Sequence, residues 1–208
     1  HRRCKECIAA NREVNLEAPN DDAPPTPSPE NGECVPWWTD ENLFKQSPPR
    51  GECPICFLTL SVCNSEITYQ SCCGKILCRG CIHAVQTGDD QVLCPYCRAP
   101  AATSDGEFIE RLKKRVEGDD AIAIYQLGGF YHDGEMGLPQ NMKKANKLFL
   151  RAGKLGCADG YGRIGYAYSN GEGVAMDEKK GKYYHELAAM GGDLDARHNL
   201  GAMEWNLG

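Results

Sequence analysis

From residue 106 onward, apolar positions recur at helical spacing. In Gly106–Glu117, the residues Phe108, Ile109, Leu112 and Val116 share one face, and glutamate, lysine and arginine fill the other, which predicts a helix that must pack on something. From 118 to 208 the pattern repeats. Ala123-Ile-Tyr-Gln-Leu127-Gly128, Gly160-Tyr-Gly-Arg-Ile164-Gly165 and Ala196-Arg-His-Asn-Leu200-Gly201 begin 37 and 36 residues apart. The stretch from Lys144 to Gly156 aligns with that from Lys180 to Gly192, again 36 apart, and the loop Asp133-Gly134 corresponds to Asn170-Gly171. Two motifs and a loop recurring at one spacing mark a repeat array. Each unit reads as helix, Gly-rich loop, helix: Ala123, Leu127 and Tyr131 fall at i, i+4 and i+8, and Ala145, Leu148, Phe149 and Ala152 follow the loop. Such units cannot bury both faces alone and must stack, giving two units and the first helix of a third. The tyrosines and phenylalanines of the array are expected to pack between helices, and His132, His185 and His198 to take surface or packing roles. Cys157 is expected to be a small packing residue.

The stretch before this array has a different texture. Residues 51–100 offer only short pieces: strands at Glu66–Tyr69 and Lys75–Leu77, a short helix from Arg79 to Gln86, and a loop from Phe57 to Ser71. Residues 1–50 are expected to be mostly disordered, since 18–33 is rich in Pro, Asp, Glu and Asn and has almost no apolar side chains. Trp37, Trp38, Leu43 and Phe44 form a small apolar cluster ahead of residue 51.

Cysteine changes the reading of this first half. Of 13 cysteines, nine fall between Cys53 and Cys97. Three Cys-x-x-Cys pairs (Cys53/Cys56, Cys78/Cys81, Cys94/Cys97) and the adjacent Cys72/Cys73 make eight thiols, enough for two tetrahedral metal sites. Two intervening residues let a tight turn aim both sulfurs at one ion. A disulfide set is the alternative, but no secretory signal precedes the cluster. Cys4, Cys7 and Cys34 are three thiols, one short of a closed site; they are either the tail of a second finger or free. A domain of about 50 residues buries little, so metal binding is expected to supply much of its folding free energy.

Charge and motifs exclude other classes. The chain has 23 basic and 29 acidic side chains, a net charge of −6, and no basic stripe, so no nucleic-acid partner is expected. No apolar run reaches the roughly 18 residues of a membrane span, and the N-terminal residues carry no signal peptide; an odd cysteine count without an export signal points to cytoplasm or nucleus. The chain begins with His, and we expect a piece of something longer. There is no Gly-x-Ser-x-Gly, no Gly-Lys-Ser/Thr and no His-Glu-x-x-His.

Residues 53–97 resemble a RING-type zinc finger, and residues 118–208 resemble Sel1-like repeats, relatives of the tetratricopeptide class. The fold class implied is a small zinc-stabilised α+β RING module (51–100), a linker helix (101–117) and an all-α helical-repeat solenoid (118–208), after a disordered N-terminal segment (1–50). The RING resemblance implies two structural Zn2+ ions: one held by Cys53, Cys56, Cys78 and Cys81, the other by Cys72, Cys73, Cys94 and Cys97. One departure stands out. RING fingers commonly read Cys-Gly-His-x-Leu-Cys, and here Lys75 stands where the histidine would, in Cys73-Gly74-Lys75-Ile76-Leu77-Cys78. Cys72 must then supply a ligand, with Cys63 or His83 as alternatives. RING domains recruit a ubiquitin-conjugating enzyme, so the resemblance implies an E3 ubiquitin ligase with no nucleophile of its own. Ile55 and Pro95 would contact the conjugating enzyme, Arg98 would brace the thioester, and the repeats would bind a protein substrate or adaptor. The aromatic residue often found after the third pair is absent from Ile82-His83-Ala84-Val85. The alternative is a non-catalytic interaction scaffold.

Overall fold

The computed structural model describes residues 51–61, 66–85 and 92–205. The expectations placed on residues 1–50, and the candidate ligand Cys63, lie outside these. Two antiparallel strands, β1 (Ile67–Gln70) and β2 (Lys75–Cys78), pair with Gln70 opposite Lys75 and Ile67 opposite Cys78. The four-residue turn between them closes on Gly74, whose φ of 71° and 2.7 Å bond from its N–H to the Gln70 carbonyl suit a residue without Cβ. Helix α1 (Arg79–His83) follows at once and ends three residues earlier than its expected limit at Gln86.

Helix α2 (Asp105–Glu117) begins where Ser104 Oγ accepts from the Glu107 N–H and the Glu107 carboxylate turns back to the Thr103 N–H, a reciprocal cap. Its buried residues are Ile109 and Leu112. The array then runs α3 (Ala121–Asp133), α4 (Met142–Lys154), α5 (Ala158–Asn170), α6 (Glu178–Met190) and α7 (Leu194–Trp205). Its repeat is atomic as well as sequential. The first helix of each unit ends on a left-handed glycine, Gly134 or Gly171. In each unit the N–H of the next cap residue returns to that helix: Asn141 to the Tyr131 carbonyl at 2.7 Å, and Asp177 to the Tyr168 carbonyl at 2.8 Å. The side chains of Asn141 and Asp177 then cap α4 and α6.

Helix contact is closest at glycines. A Cβ on Gly128 would lie 2.7 Å from the Phe149 ring, and one on Gly165 would lie 2.8 Å from Nδ1 of His185. These two pairs correspond through the repeat, so His185 is the second unit's counterpart of Phe149. Both rings are buried. Tyr131, Phe149, Ile164 and Tyr184 belong to one core cluster, which also includes Ile109 and Leu112 of α2 and Tyr69 of β1. The stripe on α2 therefore packs in two directions, against the array and against the cysteine-rich module.

Candidate metal centres and the array beside them

Each Cys-Pro-x-Cys segment folds as a knuckle. In the first, the Phe57 N–H bonds the Cys53 carbonyl at 2.8 Å and the Cys53 N–H bonds the Leu58 carbonyl at 2.9 Å; in the second, Arg98 N–H to Cys94 carbonyl is 2.9 Å and Cys94 N–H to Ala99 carbonyl 2.8 Å. Phe57 and Arg98 both take left-handed backbone angles, φ 59° and 60°, unusual for side chains of this size. Cys72 and Cys73 occupy the β1–β2 turn. Neither has a positive φ, so placing adjacent cysteines together costs no left-handed strain. Cys78 ends β2 and caps α1, with the Cys81 N–H 3.4 Å from its sulfur.

These four pieces gather their sulfurs into two groups, Cys53, Cys56, Cys78 and Cys81, and Cys72, Cys73, Cys94 and Cys97, with every ligand atom in a group within 4.8 Å of the others. Across elements the sulfurs approach to 3.7 Å (Cys56 to Cys78), 3.9 Å (Cys73 to Cys94) and 3.4 Å (Cys97 to Cys72). An ion with metal–sulfur bonds of about 2.3 Å holds tetrahedral ligands about 3.8 Å apart, whereas a disulfide would need about 2.0 Å. The donors present fit a tetrahedral metal. The alternation is the informative part: the knuckles belong to different groups, and the hairpin runs between them, with its turn in one group and the end of β2 in the other. Three residues of β2, Lys75 to Leu77, roughly 10 Å of strand, separate the turn's cysteines from Cys78.

Electrostatics tell the same story. Burial and then the sulfurs of Cys97 and Cys94 push the Cys72 thiol far up, and the Cys78 sulfur, followed by burial, pushes Cys81 up to about 12. Burial disfavours the Cys53 thiolate as well, but N–H groups of Cys78, Cys56 and Ile55 outweigh it and lower Cys53 to about 6. Four thiolates without a cation repel one another, and a divalent ion relieves that repulsion.

Lys75 is exposed, 5.8 Å from the centre of the Tyr96 ring, and His83 is exposed at the end of α1 outside both groups. Ile55 is on the surface of the first knuckle; Pro95, half-buried, and Arg98, exposed, are on the second. Pro95 lines a cavity of about 310 Å³ between the second knuckle, β1 and α2, and neither Ile55 nor Arg98 is among its walls.

The helical region matches the Sel1 repeat family over residues 121–157 and 158–193. These segments are Sel1 repeats. The chain is similar to a Sel1 repeat protein from Oxalobacter formigenes (29% identity, TM-score 0.44), over 46% of this chain and 39% of that one. It is also similar to Helicobacter pylori cysteine rich protein B (28% identity, TM-score 0.45), over 47% of this chain and 72% of that one. The chain thus spans well under half of the Oxalobacter protein. No curated protein matches it.

Tyr69, Asp120, Arg115 and Arg111 bond the cysteine-rich module to α2 and to the cap of α3, and none was singled out from the sequence. Tyr69 donates from its hydroxyl to Asp120 Oδ2 at 2.6 Å, while Asp120 Oδ1 caps α3. Arg115 donates to the Cys72 carbonyl at 2.6 Å, and Arg111 to the Pro100 carbonyl at 2.6 Å. The only sequence signal for any of these is Asp120, an N-cap residue one position before a helix.

Proposed function

We propose that the cysteine-rich module is a RING-type zinc finger, and that the chain is an E3 ubiquitin ligase whose Sel1 repeats carry a protein substrate or adaptor. The observation that supports this most is the alternation of the sulfur groups, first pair with third and second with fourth. It matches the cross-braced ligand order of RING fingers, with Cys72 in place of the usual histidine. Both sites are four-sulfur and closed, so the zinc ions are structural. Ile55 and Pro95 contact the ubiquitin-conjugating enzyme. Arg98 directs its guanidinium at the ubiquitin thioester, where a substrate lysine amine attacks the carbonyl carbon and the enzyme's thiolate leaves. The ligase supplies positioning and hydrogen bonding and forms no bond itself. As part of the same proposal, the activity belongs in the cytoplasm or nucleus, where thiols stay reduced and can hold zinc.

The test is self-ubiquitination by the zinc-loaded chain with a panel of conjugating enzymes. Conjugate formation lost on Arg98→Ala, with two zinc ions per chain retained, is the expected result. Absence of product with every enzyme would remove the ligase reading. A second reading, a protein-interaction scaffold without catalysis, is favoured by Lys75 at the usual histidine position and by the lack of an aromatic residue in Ile82–Val85; it expects Arg98→Ala to be silent.

A further inference from the structure

Strand β1 is paired along one edge only. β2 occupies that edge, and among the described residues no strand occupies the other. Ile67, Thr68 and Tyr69 all line one open groove of about 370 Å³. Side chains alternate between faces along a strand, so three successive residues meet the same groove where it follows the strand's edge. An open edge presents N–H and C=O groups ready to accept another strand.

The facing wall is α3 of the first Sel1 repeat. Phe130 lies there, in edge-on contact with Phe108 of α2 at 5.9 Å, and the two rings make an apolar floor. Gly129 is beside it, and a Cβ on this residue would meet nothing within 4 Å, so the groove is open directly above the helix backbone. Beside it stand the exposed carboxylates of Asp133 and Glu135, and among the described residues no lysine or arginine lines the groove.

We propose that this groove binds an extended segment of a partner protein, which adds to β1 as a third strand. It directs an apolar side chain onto Phe108 and Phe130 and a lysine or arginine toward Asp133 and Glu135. Main-chain bonds along the edge supply affinity and the alternate side chains supply selectivity. Charge chooses this occupant. Asp133 keeps one oxygen on His132 Nδ1 at 2.7 Å, Glu135 has no ion-pair partner among the described residues, and this acidic pair favours a basic peptide; a chain of net charge −6 whose β1 reads Ile-Thr-Tyr-Gln offers no cation to pair with the same edge of a second copy. The site needs only the fold described above. Peptide binding and ubiquitin conjugation are separate readouts, so failure of one leaves the other standing.

Gly129 makes the test clean. A side chain there enters the groove rather than the core, and replacing a mid-helix glycine favours the helix. Random octapeptides displayed on phage are selected on the zinc-loaded chain and counter-selected on Gly129→Trp, and the enriched consensus is titrated by fluorescence anisotropy. The expected consensus alternates apolar residues and carries Lys or Arg at a fixed offset. Gly129→Trp weakens its binding about tenfold or more with Tm unchanged or raised. Asp133→Asn with Glu135→Gln weakens it about fivefold and flattens its salt dependence. Should Gly129→Trp lower the Tm, the surface pair carries the test. Three results overturn the proposal: no enrichment over the counter-selection, an acidic consensus, or binding that neither variant weakens.

Discussion

Replacing His185 with phenylalanine would give the second Sel1 repeat the ring contact that the first already has. Phe149 fills the space above Gly128, and His185, its counterpart, fills the space above Gly165 at almost the same separation. His185 is 1% exposed, and its Nδ1 has no hydrogen-bond partner among the described residues. A buried polar atom without a partner costs about 1–3 kcal/mol, and the larger phenyl ring returns part of that gain as crowding. A net gain of about 1–2 kcal/mol at neutral pH corresponds to a Tm increase of roughly 2–8 °C for a chain of this size. The pH dependence supplies an independent check. Burial holds the His185 pKa below its ordinary value, with Asp193 pulling weakly the other way. Below about pH 6.5 the unfolded chain takes up a proton that the folded chain refuses, so wild-type stability falls as the medium is acidified, by up to about 1.4 kcal/mol per pH unit. Phenylalanine removes that contribution. Thermal melts of both proteins between pH 7.5 and 5.5 measure the two effects together. A Tm for His185→Phe at or below wild type, or an identical acid slope, refutes the argument that His185 is an unpaired stand-in for Phe149.

Adjacent glycines in α3 should respond with opposite sign: Gly128→Ala loses about 1–3 kcal/mol because its Cβ would collide with the Phe149 ring, while Gly129→Ala gains about 0.5–1 kcal/mol, both read by urea denaturation. Tyr69→Phe removes a 2.6 Å bond to a carboxylate and should cost about 1.5–2 kcal/mol; a cycle with Asp120→Asn, which keeps a good cap on α3, should show coupling of about 1 kcal/mol. Burial and then the Asp120 bond also raise the Tyr69 pKa, so this stability is complete below about pH 10 and declines above it, where the unfolded chain ionises first. Metal content measured by mass spectrometry should fall from two ions per chain in Cys72→Ser and in Cys78→Ser, and remain at two in Cys63→Ser.

The helices of the array were legible because a 36- or 37-residue period places the same contact twice. Phe149 and His185 already align in that register, and what the letters did not carry was that one ring nitrogen would be sealed without a partner. The short elements near the cysteines were legible to within a residue or so at the strands and less so at α1, where His83 closes a helix expected to reach Gln86. Which cysteine pairs share an ion is not deducible from spacing, since any two pairs supply four sulfurs; that grouping came from the RING resemblance. Tyr69 and Asp120 are 51 residues apart, and no local periodicity relates a strand residue to a distant helix cap. The left-handed angles at Phe57 and Arg98 were equally hidden, because glycine is the usual marker of such a turn and both knuckles do without it.

The cysteine-rich module has little core of its own. Apart from cysteines, its buried apolar residues among those described are Tyr69 and Leu77, while Phe57, Leu58, Val85, Val92 and Tyr96 are exposed. Something else must hold so small a unit, and two devices are available: the sulfur centres inside it and the array beside it. They meet at the hairpin. Its turn carries Cys72, whose carbonyl accepts from Arg115, and its first strand carries Tyr69, which joins the array's core and bonds the cap of α3. The module is therefore clamped by α2 and α3 and is not a finger on a flexible tether. A tether would leave the knuckles free to sample many orientations, so that whatever they recruit and whatever the repeats bind would meet only by diffusion within reach of the linker. A clamp fixes one orientation. In the ligase proposed above, which would form no covalent intermediate, holding two partners in one geometry is the contribution the fold would have to make.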